Sequence, residues 1–94
     1  MFVCEQLAGL AGLNCRAMFG GHGLYVGGKF FAIVWRGALY FKTSPKTVGD
    51  YVAADMARFR PNAKQTLNNY YEVPAQIIER RGELVAWALR AAAI

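Results

Sequence analysis

Apolar positions Phe2, Val3, Leu7, Leu10 and Leu13 recur at helical spacing and predict a short amphipathic helix over about residues 2–13. The pattern then changes period. Arg16–Phe19 predicts a short strand broken by Gly20-Gly21. Leu24-Tyr25-Val26 and Phe30–Trp35 are aromatic and β-branched, as strands prefer, and Gly27-Gly28 between them predicts a tight hairpin. Arg36-Gly37 predicts a second tight turn, leading into a strand over Ala38–Thr43. Ser44 followed by Pro45 signals a helix start, with Val48, Tyr51, Val52 and Met56 as its buried stripe. Arg58–Arg60 and Leu67–Val73 predict a strand pair joined by the polar loop PNAKQT. Pro74 opens a final helical region that Gly82 divides; the longer part carries Leu84, Val85, Ala88 and Leu89, and Leu84 and Trp87 are its expected anchors. The order is α-βββ-α-ββ-α. It predicts a two-layer α+β domain, an antiparallel sheet with helices packed on one face.

The segment GLYVGGKF, residues 23–30, comes within one residue of a phosphate-binding loop. Such a loop must lead from a strand into a helix, so that backbone N–H groups face the phosphates. Here a strand follows, and Phe30 stands where a hydroxyl would bind Mg²⁺. A dinucleotide pattern from Gly21 would need glycine at position 26, which is valine. The hairpin is the expected structure, and no cofactor is expected.

Composition narrows the picture further. Ninety-four residues, 55% apolar and 18% charged, predict one globular domain over 1–94. The apolar runs are too short for a membrane span. Glu5 and Asn14 argue against reading LAGLAGLNC (residues 7–15) as the end of a lipoprotein signal, so a cytoplasmic location is expected. Cys4, Cys15 and His22 are too few for a zinc site, and the two cysteines are expected to be buried reduced thiols. The carboxylates are scattered and His22 has no adjacent acid or nucleophile, so no catalytic residues are assigned and no enzyme is expected.

Charge distribution says more. The net charge is +5, and between Gln6 and Gly49 there are five basic residues and no acidic one. If Leu39 and Phe41 face the helices, strand alternation turns Tyr40 and Lys42 away from them. The same parity groups Tyr25, Arg58, Arg60 and Tyr70 with them as a candidate partner-binding face. Such a face suits a protein partner or a second copy; interleaved aromatics and cations also suit nucleic acid.

Two stretches are distinctive together: R-A-M-F-G-G-H-G-L-Y, residues 16–25, and Y-Y-E-V-P, residues 70–74, followed by E-L-V-A-W-A-L-R-A-A, residues 83–92. In this order they resemble the N-terminal domain of the TfoX (Sxy) family, bacterial regulators associated with natural competence. The resemblance covers nearly the whole chain. It implies a small α+β domain with a regulatory, non-catalytic role, and carries over no catalytic residues. Full-length regulators of that family have a second, C-terminal helical domain. The residues here correspond to the first alone, as a stand-alone member or a piece of a longer regulator. Under this reading Gly20, Gly21 and Gly23 permit strained backbone near the strand break, and Met18, Phe19, Tyr71 and Trp87 are core.

Overall fold

Two tight turns build the first half of the sheet. The computed structural model, which describes residues 2–18 and 20–94, places Gly27 and Gly28 at φ 58° and 81°. Positive φ at both central residues gives the turn a twist that matches the flanking strands. The turn joins β2 (Gly21–Val26) to β3 (Lys29–Trp35), so GLYVGGKF is a hairpin and no helix follows its glycines. Arg36 and Gly37, at φ 50° and 78°, make the second such turn and lead into β4 (Ala38–Lys42). Upstream, β1 (Leu13–Met18) pairs with β2 over six residues in unbroken register. Four strands therefore precede α2 (Val48–Ala53): the predicted order counted three, and the short strand read at Arg16–Phe19 is the fourth, beginning earlier at Leu13. Phe19, expected in that first strand and in the core, lies outside the described residues.

The chain then crosses to the far edge. β5 (Arg58–Asn62) and β6 (Gln65–Glu72) form a hairpin whose turn is only Ala63-Lys64, so most of the predicted PNAKQT loop is strand. β6 inserts beside β4, giving one antiparallel sheet in the order β1-β2-β3-β4-β6-β5. Thr43 clamps this junction, donating from its N–H and its hydroxyl to the Asn69 carbonyl at 2.7 and 3.1 Å. The α+β class and the antiparallel sheet are as expected.

The helices α1 (Phe2–Gln6), α2 and α4 (Arg81–Ala92) contribute to a core on one side of the sheet. Leu24, Phe31, Leu39 and Phe41 point into it from the strands; Val3, Leu7, Leu10, Tyr51, Leu84, Ala88 and Ala91 meet them. Polar contacts hold the layer together. Gln6 is buried and donates to the Ile78 carbonyl at 2.9 Å, tying α1 to α3 (Ala75–Ile78). Arg90 pairs with Asp50 at 2.9 Å between α4 and α2. Trp87 is half-buried and meets Tyr51 edge-on at 4.9 Å.

Several expectations need correction. The first helix ends at Gln6 instead of residue 13, because the chain turns through Gly12 (φ 78°) into β1. Val3, Leu7 and Leu10 are still buried, but Phe2 is 55% exposed. Ser44 starts a turn whose carbonyl accepts from the N–H groups of Thr47 and Val48, and α2 itself begins at Val48. Tyr51 alone of its predicted stripe is fully buried, and Val52 is 60% exposed. The break before α4 falls at Glu79-Arg80, Gly82 lies within the helix, and Leu89 is 53% exposed. Cys4 and Cys15 are not free thiols: α1 lies under β1 and the two half-buried residues are joined in a disulfide. Among the described residues, no helix is long and apolar enough to cross a membrane.

Candidate functional site

The opposite side of the sheet carries a second apolar layer. Alternation places Arg16, Met18, Gly21, Gly23 and Tyr25 of the first hairpin on this outer face, since Gly23 pairs with outward Ile33 while Leu24 pairs with inward Ala32. The two glycines are extended strand, not the strained backbone expected; only Gly20, in the turn, has positive φ (79°). Their reason is space. A Cβ on Gly23 would lie 2.9 Å from Phe30 Cε1 and 3.2 Å from Met18 Sδ, so neighbouring side chains lie across the bare backbone. A Cβ on Gly21 would collide with the Val34 carbonyl oxygen and lie 3.1 Å from Trp35 Cδ1.

Aromatic rings line the face from β2 to β5. Tyr25 packs on Phe30 at 5.2 Å and Phe30 on Tyr70 at 5.7 Å. Phe59 meets Tyr40 at 4.8 Å and Trp35 edge-on at 5.5 Å. Adjacent strands are ~4.8 Å apart. Phe30 and Tyr70 touch across β4, and Phe59 of the far edge reaches Trp35 on β3, so this face is concave. The curl buries Ile33, Phe59 and Tyr70, and among the described residues those packed against them all come from strands. Between the β5–β6 hairpin and the first strands lies an apolar cleft of about 450 Å³, lined by Met18, Ile33, Trp35, Phe59, Pro61 and Gln65 among others. Cations sit around it: the Arg16 guanidinium lies 5.3 Å from the Tyr25 ring centre, and that of Arg36 lies 4.4 Å from Trp35. Burial, with Tyr25 adding, pushes the Tyr70 hydroxyl up to about 12. Burial and the Glu72 carboxylate raise that of Tyr40.

Of the six residues predicted to share one face, the structure brings four together. Tyr25, Tyr40, Lys42 and Tyr70 are all outward, Lys42 directly beside Tyr70 in register. Arg58 and Arg60 are not among them. Phe59 occupies the outer face, and irregular pairing on either side of it leaves both arginines on the helix side. There they line a separate hollow with Val52, Asp55, Met56 and Thr66. Arg58 donates to Asn68 Oδ1 at 3.0 Å and Arg60 to the Ala63 carbonyl at 3.2 Å. Sequence reasoning missed Arg16, Met18, Trp35 and Phe59 as members of the face. A signal was available in the period-two spacing of Arg16 with Met18 and, beyond the turn, of Gly21, Gly23 and Tyr25.

Apart from Asn14, the outward residues of β1 and β2 are thus those of the distinctive 16–25 motif. The sequence model of the TfoX N-terminal domain matches residues 5–94. The chain belongs to the TfoX N-terminal domain family. A search of curated proteins finds no match to it. For this family member the motif has a physical meaning: it builds the outer side of the first hairpin, two glycines making room for the side chains around them. His22, inside the same motif, pairs with Ala17 and Val34 and so belongs to the other side. Among the described residues, no group of three His, Cys, Asp or Glu side chains is placed to hold a metal ion.

Proposed function

We propose that this domain is a non-catalytic, regulatory protein-binding module, and that its concave aromatic face receives the partner. The observation that carries the proposal is the apolar layer around Trp35, Tyr40, Phe59 and Tyr70 on the side away from the helices, with an apolar cleft beside Trp35 and Phe59. Buried aromatic anchors beside a pocket, ringed by polar groups, are where protein interfaces concentrate their affinity. Membership of a family of competence regulators supports a regulatory role over a catalytic one. A nucleic-acid reading asks for cations among the aromatics. Of the three cations that reading drew on, only Lys42 stays on this face, and the arginines found there, Arg16 and Arg36, lie against Tyr25 and Trp35.

Affinity capture from a bacterial lysate, with and without nuclease, tests the proposal. The expected result is a protein retained after nuclease treatment by the wild type and lost with Trp35→Ala, a substitution at the rim of the cleft. Fluorescence anisotropy with single- and double-stranded oligonucleotides at two salt concentrations is the counter-test. Submicromolar, steeply salt-dependent binding that Arg16→Gln and Lys42→Gln together abolish would refute it.

A further inference from the structure

Every open sheet has two edges, and those of this sheet differ. β5, the far edge, carries Arg58, Arg60 and Pro61, and its pairing with β6 is twice irregular. Proline, charge and bulges are the devices by which proteins blunt an edge against further strands. β1, the near edge, has none of them except one charge, Arg16. It runs six residues, LNCRAM, in unbroken register with β2. Among the described residues, no backbone hydrogen bond joins residues 14–18 to anything but β2. The alternate N–H and C=O groups on its far side are a ready template for another strand. The Cys4–Cys15 disulfide fixes this strand to α1 from the helix side, so little ordering remains when a partner adds to it.

Charge and register say what kind of strand fits. Residues 6–49, which include β1 to β4, carry five basic side chains and no acidic one. A second copy paired antiparallel through β1 would bring two such halves together, with Arg16 against its own counterpart. An acidic strand meets the opposite sign. Arg16 and Met18 both project on the outer face, where Met18 lines the apolar cleft. Residues two apart on the added strand would share that face. One would place a carboxylate beside Arg16 and the other an apolar side chain beside Met18, extending the concave surface.

We infer that β1 is a docking edge for an extended, acidic segment of a partner protein, which adds as a seventh strand with carboxylate and apolar side chains alternating along one side. This mode draws affinity from main-chain hydrogen bonds and selectivity from alternate side chains. The inference rests on the protein-binding reading above and adds to it the place and the chemistry of the partner.

The test uses the whole chain and a labelled ten-residue peptide of repeating Glu-Thr-Val-Thr, which sets Glu and Val alternately along one side, against a Lys-Val counterpart with Lys in place of each Glu, by fluorescence anisotropy at low salt. The Glu-Val peptide should bind about tenfold or more tightly than the Lys-Val one, the size expected of complementary against opposed charge across an interface. Arg16→Glu should erase or reverse that preference. N-methylating alternate backbone nitrogens along one edge of the peptide should abolish binding, whereas methylating the other edge should not. Amide exchange should slow at alternate residues of Asn14–Met18 in the complex. Equal affinity for the two peptides, no binding up to millimolar concentration, or binding without protection of those amides would overturn the inference. So would a dimer by light scattering whose β1 amides are protected without peptide. If the peptide fails while Trp35→Ala still loses a captured partner, the edge assignment falls and the aromatic face stands.

Discussion

Replacing Gly21 by alanine adds one methyl group against the backbone of the neighbouring strand, and its consequence can be worked through. In an ordinary strand the change would help: alanine lowers the entropy of the unfolded chain and stabilises by ~0.4–1 kcal/mol. At Gly21 the new Cβ falls well inside contact with the Val34 carbonyl oxygen. Carbon and carbonyl oxygen on adjacent strands meet at roughly 3.3–3.6 Å, so β2 and β3 must part by on the order of 1 Å. The obstacle is backbone, and no rotamer change relieves it. About two ladder hydrogen bonds weaken, at ~1 kcal/mol each, and overpacking adds ~1–3 kcal/mol. The net loss is about 3 kcal/mol, a large share of the ~5–15 kcal/mol that holds a small domain folded. With a urea slope of ~1 kcal/mol per molar, the unfolding midpoint followed by circular dichroism should fall by about 3 M. Gly23→Ala should cost less, because its Cβ meets Phe30 Cε1 and Met18 Sδ, both on side chains that can shift. Gly49→Ala, in α2 with open space around it, should raise the midpoint. A Gly21→Ala midpoint equal to or above wild type would refute the close approach of Val34 and the account of the motif glycines built on it.

Leu84 is fully buried and Leu89 is 53% exposed on the same helix. Leu84→Ala should cost ~2–5 kcal/mol and Leu89→Ala less than about 0.5 kcal/mol, both read from urea midpoints; equal costs would mean that α4 presents a different face. The pH dependence follows from the raised tyrosines. The folded Tyr70 hydroxyl is held up to about 12 against 10.0 when unconstrained, so between those values the folded chain binds the proton more tightly. This stability is fully present below pH 10 and is lost as pH rises towards 12. Tyr40 and Tyr51 act in the same direction. Tyr70→Phe should flatten the fall in midpoint between pH 10 and 12, and an unchanged slope would contradict the burial of this hydroxyl.

Much of the fold was legible because local chemistry and global structure agree. Gly27-Gly28 and Arg36-Gly37 sit where a tight turn needs positive φ, so two hairpins could be placed from sequence. Parity in β4 also carried through: Leu39 and Phe41 face inward and Tyr40 and Lys42 outward. The failures have a common cause in three-dimensional curvature. Grouping Arg58 and Arg60 outward assumed one apolar side to the sheet. The curl gives it two, and Phe59 fills the second while its arginine neighbours turn towards the hollow beside α2. Irregular pairing on both sides of Phe59 is invisible to alternation, since one slipped residue inverts every side chain. The Cys4–Cys15 bond was equally hidden. Eleven residues of separation say nothing of whether a helix will fold back beneath a strand.

The charge division between the two halves of the chain has a consequence for encounter. Residues 6–49 carry five cations and no anion, whereas the remaining residues carry six of each. The entire net charge of +5 therefore resides in the segment that includes β1 to β4, so the positive charge is weighted towards those strands. In the field of an anionic body the domain feels a torque before it makes any contact, and it turns the β1–β4 side forward. Its rotational search is shortened, and productive collisions outnumber those of a molecule with the same charge spread evenly. That orienting torque fades within the Debye length, ~10 Å at 0.1 M salt.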